Sequence, residues 1–354
     1  MESPLKYSLA EHTKEGSLYA KLTDGWVQCF ACGHRCKIPP ARDGICKIRF
    51  NRDGALFVPI GYVSGIAVDP IEKKPFFHAF PGSSTLSFGM LGCDYHCPFC
   101  QNWITSQTLR DPQAVSSIEV IDAKNIIDLA VQHHIPIITS TYNEPLITTE
   151  WSVEIFKLAR KAGLVTSYVS NGNGTPEVLD YLQPWIDLYK VDLKSFRQKS
   201  YASMGGVLQH VLDTITALIQ REKWVEIVTL LVPGINDSTE ELSDIARFIR
   251  SLSPDIPWHV TAYHQDYKMQ GEDFTPLPTL IRAAEIGYAE GLHFVYTGNR
   301  PGQTRNYENT YCYSCNELLI ERQGFRVLRN RITGGRCCTC GTAIPGRWNE
   351  TTTP

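Results

Sequence analysis

Residues 85–102 read Thr-Leu-Ser-Phe-Gly-Met-Leu-Gly-Cys-Asp-Tyr-His-Cys-Pro-Phe-Cys-Gln-Asn. The first part, Thr85–Leu91, is a short apolar run that predicts a strand. Directly after it comes Cys93-x3-Cys97-x2-Cys100. Three thiolates from one loop can hold three irons of a [4Fe–4S] cluster and leave the fourth iron without a protein ligand. Ferredoxin-type carriers differ, since four cysteines close their clusters. An open iron can bind a substrate or cofactor directly. The competing readings are a zinc site completed by His96 and three unrelated buried thiols. The spacing and the place after a strand both argue against them.

Outward from this loop the chain alternates strand-like and helix-like segments. Helical patterns are expected at Ser117–His134, Glu150–Ala162, Pro176–Leu182, Val207–Arg221, Thr239–Leu252 and Thr279–Ala289. Between them lie strand candidates Ile135–Thr139, Leu164–Val169, Ile186–Leu193, Trp224–Val232, Trp258–Tyr263 and His293–Thr297. Repeated β-then-α at this spacing predicts an α/β fold with a parallel sheet, a partial (βα)6 barrel. Chemistry in such folds sits in the loops after the strand C-terminal ends. We therefore expect three units: an N-terminal cysteine-rich module at 1–82, the partial barrel at 83–299 and a C-terminal module at 300–354. In the first, Asn51-Arg52-Asp53-Gly54 is a hairpin turn signal. In the last, Gly324–Leu328 and Arg329–Thr333 carry β character and Gly334-Gly335 turns the chain. Thr351–Pro354 is expected to fray.

The 354 residues are 43% hydrophobic and 20% charged, which excludes wholesale disorder. A net charge of −3 gives no sign of a broad grip on nucleic acid. No apolar run approaches the ~18 residues of a membrane span. Met1 to Ala20 lacks a signal-peptide core, so a cytoplasmic protein is expected. There the 12 cysteines stay reduced and read as metal ligands. They cluster at 29–46, 93–100 and 312–340.

Cys93-x3-Cys97-x-Phe99-Cys100 resembles the signature loop of radical S-adenosylmethionine (SAM) enzymes. The resemblance implies that the three cysteines hold the cluster, that SAM chelates the open iron, and that Phe99 lies near the adenine. Tyr142-Asn143-Glu144-Pro145 is similar to the loop that binds the SAM amino group. Ser170-Asn171-Gly172 resembles the ribose-contacting element. Asp192-Leu193-Lys194 resembles the Asp-x-Lys element of glycyl-radical-enzyme activases, with the lysine near the SAM carboxylate. His264 resembles an activase histidine that also reaches SAM. Each follows or ends a strand candidate. A closer resemblance covers nearly the whole chain: Asp69-Pro70-Ile71-Glu72-Lys73-Lys74-Pro75, His78, Cys97-Pro98-Phe99-Cys100-Gln101-Asn102, Val232-Pro233-Gly234-Ile235-Asn236-Asp237 and Tyr296-Thr297-Gly298-Asn299. Together these look like the AmmeMemoRadiSam-system radical SAM enzymes, relatives of pyruvate formate-lyase activase. Gly89-Met90-Leu91-Gly92 and Gln265 depart from the usual pattern.

Cys29-x2-Cys32-x3-Cys36-x9-Cys46 supplies four thiolates in a short segment. Zinc is the expected metal, with a second Fe–S cluster as the alternative and His34 as a spare ligand. Cys312-x2-Cys315-x21-Cys337-x2-Cys340 is a zinc-ribbon pattern with Cys338 left over. Asp69, Glu72, Lys73, Lys74 and His78 are either a capped turn or a wall of the substrate pocket.

The function expected from the resemblance is reductive cleavage of SAM to a 5′-deoxyadenosyl radical that abstracts hydrogen from a substrate. Within that class the alternative is a glycyl radical enzyme activase. A non-catalytic metal-binding scaffold is the reading of another class. The implied partners are flavodoxin or ferredoxin as electron donor, AMMECR-like and Memo-like proteins, and a small-molecule, protein or RNA substrate.

Overall fold

The computed structural model describes residues 9–271 and 274–348. The expected fraying of Thr351–Pro354 lies outside them, as does the start of the chain. An eight-stranded sheet organises the molecule, and its strands stand side by side in chain order. They are β1 (Gly65–Pro70), β2 (Ser84–Gly89), β3 (Ile137–Ser140), β4 (Val165–Ser170), β5 (Leu188–Asp192), β6 (Trp224–Leu231), β7 (Trp258–Ala262) and β8 (Val295–Gly298). Strand β1 is antiparallel to β2, and the remaining neighbours are all parallel.

The crossovers follow the sequence signals. Thr175 caps the helix Pro176–Leu182 through Val178 N at 3.2 Å, with Pro176 in the first turn. Ser238 does the same for Thr239–Leu252 through Glu241 N at 3.2 Å. The helix Thr149–Lys161 stops before Gly163, which has φ of +73°. Among the described residues no helix is long and apolar enough to cross a membrane.

Three sequence expectations change. The helical pattern from Ser117 starts only at Ala123, after the Asp122 cap. Glu119–Val120 is instead extended, paired with Tyr62–Val63. The hairpin in the C-terminal module is formed by Leu318–Gln323 and Arg326–Asn330 and turns at Gly324-Phe325, so its strands lie N-terminal to the expected Gly324–Leu328 and Arg329–Thr333, while Gly334-Gly335 makes the expected turn between the bridged Thr333 and Arg336. And residues 65–70, read as part of the N-terminal module, form the edge strand of the central sheet. The Asp53-Gly54 turn does join two antiparallel strands, Phe50–Arg52 and Ala55–Pro59, with both φ values positive.

Alternation along β5 separates the two faces. Tyr189 and Val191 pack in the main core with helix residues such as Val211, Ile215 and Leu242. Leu188, on the other face, packs with Ile71, Phe76 and Ala79, so the segment after β1 plugs the N-terminal ends of the strands. The C-terminal module joins this plug through Phe77, Phe294 and Tyr296, beside Cys312 and Cys337. Arg322 of the hairpin crosses between the two sheet edges. It donates to the Phe77 carbonyl after β1 at 2.8 Å and to Thr310 Oγ1 after β8 at 2.8 Å.

The N-terminal module is tied on by a buried ion pair. Arg49 donates from Nη1 and Nη2 to the two oxygens of Glu150 at 2.7 Å each, and both side chains are about fully buried.

Candidate functional site

The loop 93–100 leaves β2 at its C-terminal end. Cys97 is buried, and Cys93 and Cys100 are half-buried. Tyr95 N donates to Cys93 Sγ at 3.3 Å, and the Ser106 hydroxyl lies 3.3 Å from Cys100 Sγ. Burial pushes the Cys97 thiol up to about 12, against the pull of Lys194. Burial likewise raises the Cys93 thiol, with Asp94 and Glu144 adding to it, and the Cys100 thiol, which Ser106 opposes. Three thiolates here would repel one another in a desolvated loop. A cationic metal core supplies the compensation they lack, so the donor set fits an iron–sulfur cluster.

Cys97, Phe99 and Cys100 line a cavity of about 370 Å³ that extends from the C-terminal ends of the strands, past Val169, Lys190 and Val228, to Lys73 and Lys74. Tyr142 after β3, Asp192 and Lys194 at the end of β5, and Thr261 of β7 complete its walls. Asp192 accepts from Lys194 Nζ at 3.1 Å and also pairs with Lys190. Burial alone would raise the Asp192 carboxyl, but the two lysines outweigh it and hold it at about 2. The same carboxylate and Cys97 raise Lys194.

Glu144, Ser170 and Asn171 come together behind the cavity wall rather than on it. Glu144 Oε1 accepts from Ser170 Oγ at 2.7 Å and from Leu146 N at 3.0 Å, and Oε2 accepts from Asn171 N at 2.7 Å. Burial, then the nearby Asp94, pushes the Glu144 carboxyl up to about 8. Asp94 links this group to the cysteine loop, accepting from Asn171 Nδ2 and Asn173 Nδ2 at 2.7 Å each. Asn143 accepts from Met90 N at 3.0 Å, which ties the loop after β3 to the end of β2.

His264 is exposed, with Nδ1 3.2 Å from the Gln265 carbonyl, and is not among the cavity-lining residues. Sequence reasoning missed Asp94 and Lys190, and quoted Asn299 within a motif without giving it a role. Lys190 had a signal, because period-two alternation puts it on the face of Asp192 and Lys194. Asn299 follows β8, has φ of +65° and donates to the Ala262 carbonyl at 3.0 Å.

Gly172 makes the turn after β4 possible. Its φ is +75°, and a Cβ there would lie 2.7 Å from Val191 Cγ1 and 3.0 Å from Val211 Cγ1. Gly163 has φ of +73° with nothing within 4 Å of a Cβ. Gly172→Ala is therefore expected to destabilise by about 2–4 kcal/mol, strain plus overpacking, and Gly163→Ala by only about 1 kcal/mol. Urea midpoints of the two variants measure the difference.

The C-terminal sulfurs of Cys312, Cys315, Cys337 and Cys340 all lie within 4.8 Å of one another, and Cys338 stands outside the set. Cys312 and Cys340 are 3.6 Å apart, and Cys315 and Cys337 3.7 Å. Such spacing suits four thiolates at ~2.3 Å from one tetrahedral ion. Among the described residues the other two cysteine sets are not drawn that close. Of the Cys29 set, Cys29, Cys32 and Cys46 are buried and Cys36 is half-buried. His34, the spare ligand, places Nε2 3.2 Å from the Asp94 carbonyl.

Residues 89–249 match the family model of the Radical SAM superfamily. An uncharacterized protein of Methanocaldococcus jannaschii is 35% identical over 335 residues, covering 94% of this chain and 98% of that protein. A pyruvate formate-lyase-activating enzyme of Listeria monocytogenes is 29% identical over 195 residues, covering 52% of this chain and 76% of that enzyme. The crystal structure of a domain of pyruvate-formate lyase-activating enzyme from Bacteroides vulgatus aligns with a TM-score of 0.40 at 20% identity, over 46% of this chain and 98% of that one.

Proposed function

The chain belongs to the radical SAM superfamily, a radical SAM enzyme with activase-like relatives, and on that premise we propose that it cleaves SAM at the cavity beneath residues 93–100. The family implies a [4Fe–4S] cluster and SAM, and a scaffold without catalysis is set aside. The carrying observation is that Cys97, Cys100 and Phe99 share one cavity with Asp192 and Lys194.

A bound cluster would supply the electron for cleavage of the C5′–S bond of SAM, the chemistry that leads to hydrogen abstraction from a substrate. Cys93, Cys97 and Cys100 would hold the cluster. Phe99, on the cavity wall, would lie near the adenine. Lys194, held cationic by Asp192, takes the carboxylate. Tyr142, Asn143 and Glu144 form the loop at the amino group, and Ser170 and Asn171 that at the ribose. Glu144 and Asp94 lock these two loops to each other and to the cysteine loop, so the three parts of SAM meet prearranged surfaces. His264 stands outside the proposed set because of its exposed position.

The finer reading is an AmmeMemoRadiSam-system enzyme in the cytoplasm, with flavodoxin or ferredoxin as electron donor and AMMECR-like and Memo-like partners. It rests on the motifs quoted above. The three-module division belongs to the same reading, with residues 65–70 given to the central sheet, with Cys312, Cys315, Cys337 and Cys340 binding zinc and Cys29, Cys32, Cys36 and Cys46 a second metal site. The identity to activating enzymes supports a second reading, in which the hydrogen comes from a backbone glycine of a partner protein.

The test is anaerobic: reconstitution, dithionite, SAM and mass spectrometry. 5′-Deoxyadenosine is expected, and a sample with a full cluster that forms none even with reductant and SAM in excess would sink the reading. Metal analysis of the same sample is expected to give about two zinc ions per chain beside the irons of one cluster. One zinc with twice the iron would move the Cys29 set to a second cluster.

A further inference from the structure

The motif Asp69-Pro70-Ile71-Glu72-Lys73-Lys74 has no part in holding the cluster or SAM, yet it builds one wall of the cavity. Lys73 and Lys74 both line it. Both lysines pair with the same carboxylate: Asp69 accepts from Lys73 Nζ on Oδ1 and from Lys74 Nζ on Oδ2, at 2.7 Å each. Tyr142, across from them, donates its hydroxyl to Asp69 Oδ2 at 2.8 Å, and its ring lies 4.4 Å from Lys74 Nζ. The other wall repeats the arrangement, with Lys190 and Lys194 on Asp192. Four ammonium groups thus face two carboxylates, which leaves an excess positive charge on each wall.

Loading the site does not remove that excess. A doubly positive cluster core on three thiolates carries one negative charge, and SAM carries one net positive charge, so the two cancel. That sum already contains the SAM carboxylate, so its place beside Lys194 on the proposed reading brings no further negative charge. The wall of Lys73 and Lys74 then keeps its surplus charge for something else. We propose that the substrate enters with an oxyanion group, a carboxylate or a phosphate, which docks on Lys73 and Lys74 beside Tyr142. The proposal rests on the SAM-binding reading of the same cavity.

The two lysines divide the work. Lys74 is buried and stays on Asp69, fixed by Tyr142. Lys73 has a side chain 49% exposed, so it can turn from Asp69 to an incoming anion while Asp69 keeps Lys74 and Tyr142. Asp69 itself stays ionised, because its two lysines outweigh burial and hold it at about 2. A flexible ammonium suits an oxyanion that approaches as a point charge.

Inorganic phosphate and acetate serve as probes on the reconstituted holoenzyme with SAM bound. The cluster is kept oxidised so that bound SAM stays intact, and its thermally populated paramagnetic states make an anion held in the cavity relax faster in 31P or 13C NMR. A saturable enhancement is expected for phosphate or for acetate, and the probe that shows it names the group. Lys73→Gln is expected to weaken it at least ~10-fold, and Lys73→Arg to retain it. Circular dichroism guards against misfolding, and Lys73 is used because Lys74 is buried. No enhancement from either probe, or one that survives Lys73→Gln, overturns the proposal. SAM binding by calorimetry on the same samples keeps the two readings apart. If SAM does not bind, the site reading fails; if SAM binds and the anions do not, only the oxyanion proposal fails.

Discussion

Cys97→Ala is expected to reduce 5′-deoxyadenosine formation to the level of an enzyme-free control, a fall of roughly a thousandfold or more, equal to about 4 kcal/mol of lost transition-state stabilisation. Cys97 is the most buried of the three loop cysteines and lies on the cavity wall with Phe99 and Lys194. Its loss leaves two thiols, which cannot hold three corners of one cluster. The fold should persist, because the side chain is small and the loop keeps other anchors. His96 N bonds to the Met204 carbonyl at 3.0 Å, and Gln107 Nε2 to the Tyr95 carbonyl at 3.0 Å. Cys338→Ala is the matched control. Cys338 is exposed and outside the C-terminal set, so full activity is expected. Anaerobic turnover with iron and sulfide counts separates cluster loss from misfolding. Undiminished product from Cys97→Ala would remove the cluster from this loop.

Arg49→Met is expected to cost about 3–5 kcal/mol of stability, read as a lower urea midpoint. The reason is the partner left behind. Glu150 has its carboxylate side chain only 2% exposed. Burial alone would raise that carboxyl, and Arg49 outweighs it and lowers it. Without the guanidinium the remaining donors are Ser17 N at 3.3 Å and Leu18 N at 3.4 Å, too long to satisfy a charge. Arg49 also donates to the Ile147 carbonyl at 3.1 Å, so the substitution loosens the turn before the helix Thr149–Lys161. The double variant Arg49→Met, Glu150→Leu should recover much of the loss, since two well-packed apolar groups leave no orphan charge. A double variant no better than the single one would place the cost in packing instead of electrostatics.

Local signals carried most of the fold. The helices Pro176–Leu182 and Thr239–Leu252 and the turn at Asp53-Gly54 depend on atoms a few residues apart, so their own spacing announces them. The missed features depend on distant partners. Ser117–Ile121 has helical spacing, but pairing with Tyr62–Val63 draws it into an extended form. Residues 65–70 look like any short strand until β2 accepts them at its edge. The site divides the same way. Three cysteines at fixed spacing can be read from the chain, as can Asp192 and Lys194 two residues apart. Asp94 could not be, because its importance comes from Asn171 and Asn173, more than seventy residues away.

The strands of the sheet stand in the order in which they are made. Each new strand emerging during synthesis therefore finds its neighbour already in place, and pairing proceeds as local steps rather than long searches. The seam closed by Arg322 is the exception. Its bond to the Phe77 carbonyl joins residues 245 apart. The concave face is thus assembled early, and the C-terminal hairpin, which adds Phe325 to the cavity lining, closes it late. The interval between these events is a stage at which the cysteine loop is formed while that side of the cavity is still open, and a nascent chain at that stage would present its thiols to whatever machinery delivers iron and sulfide.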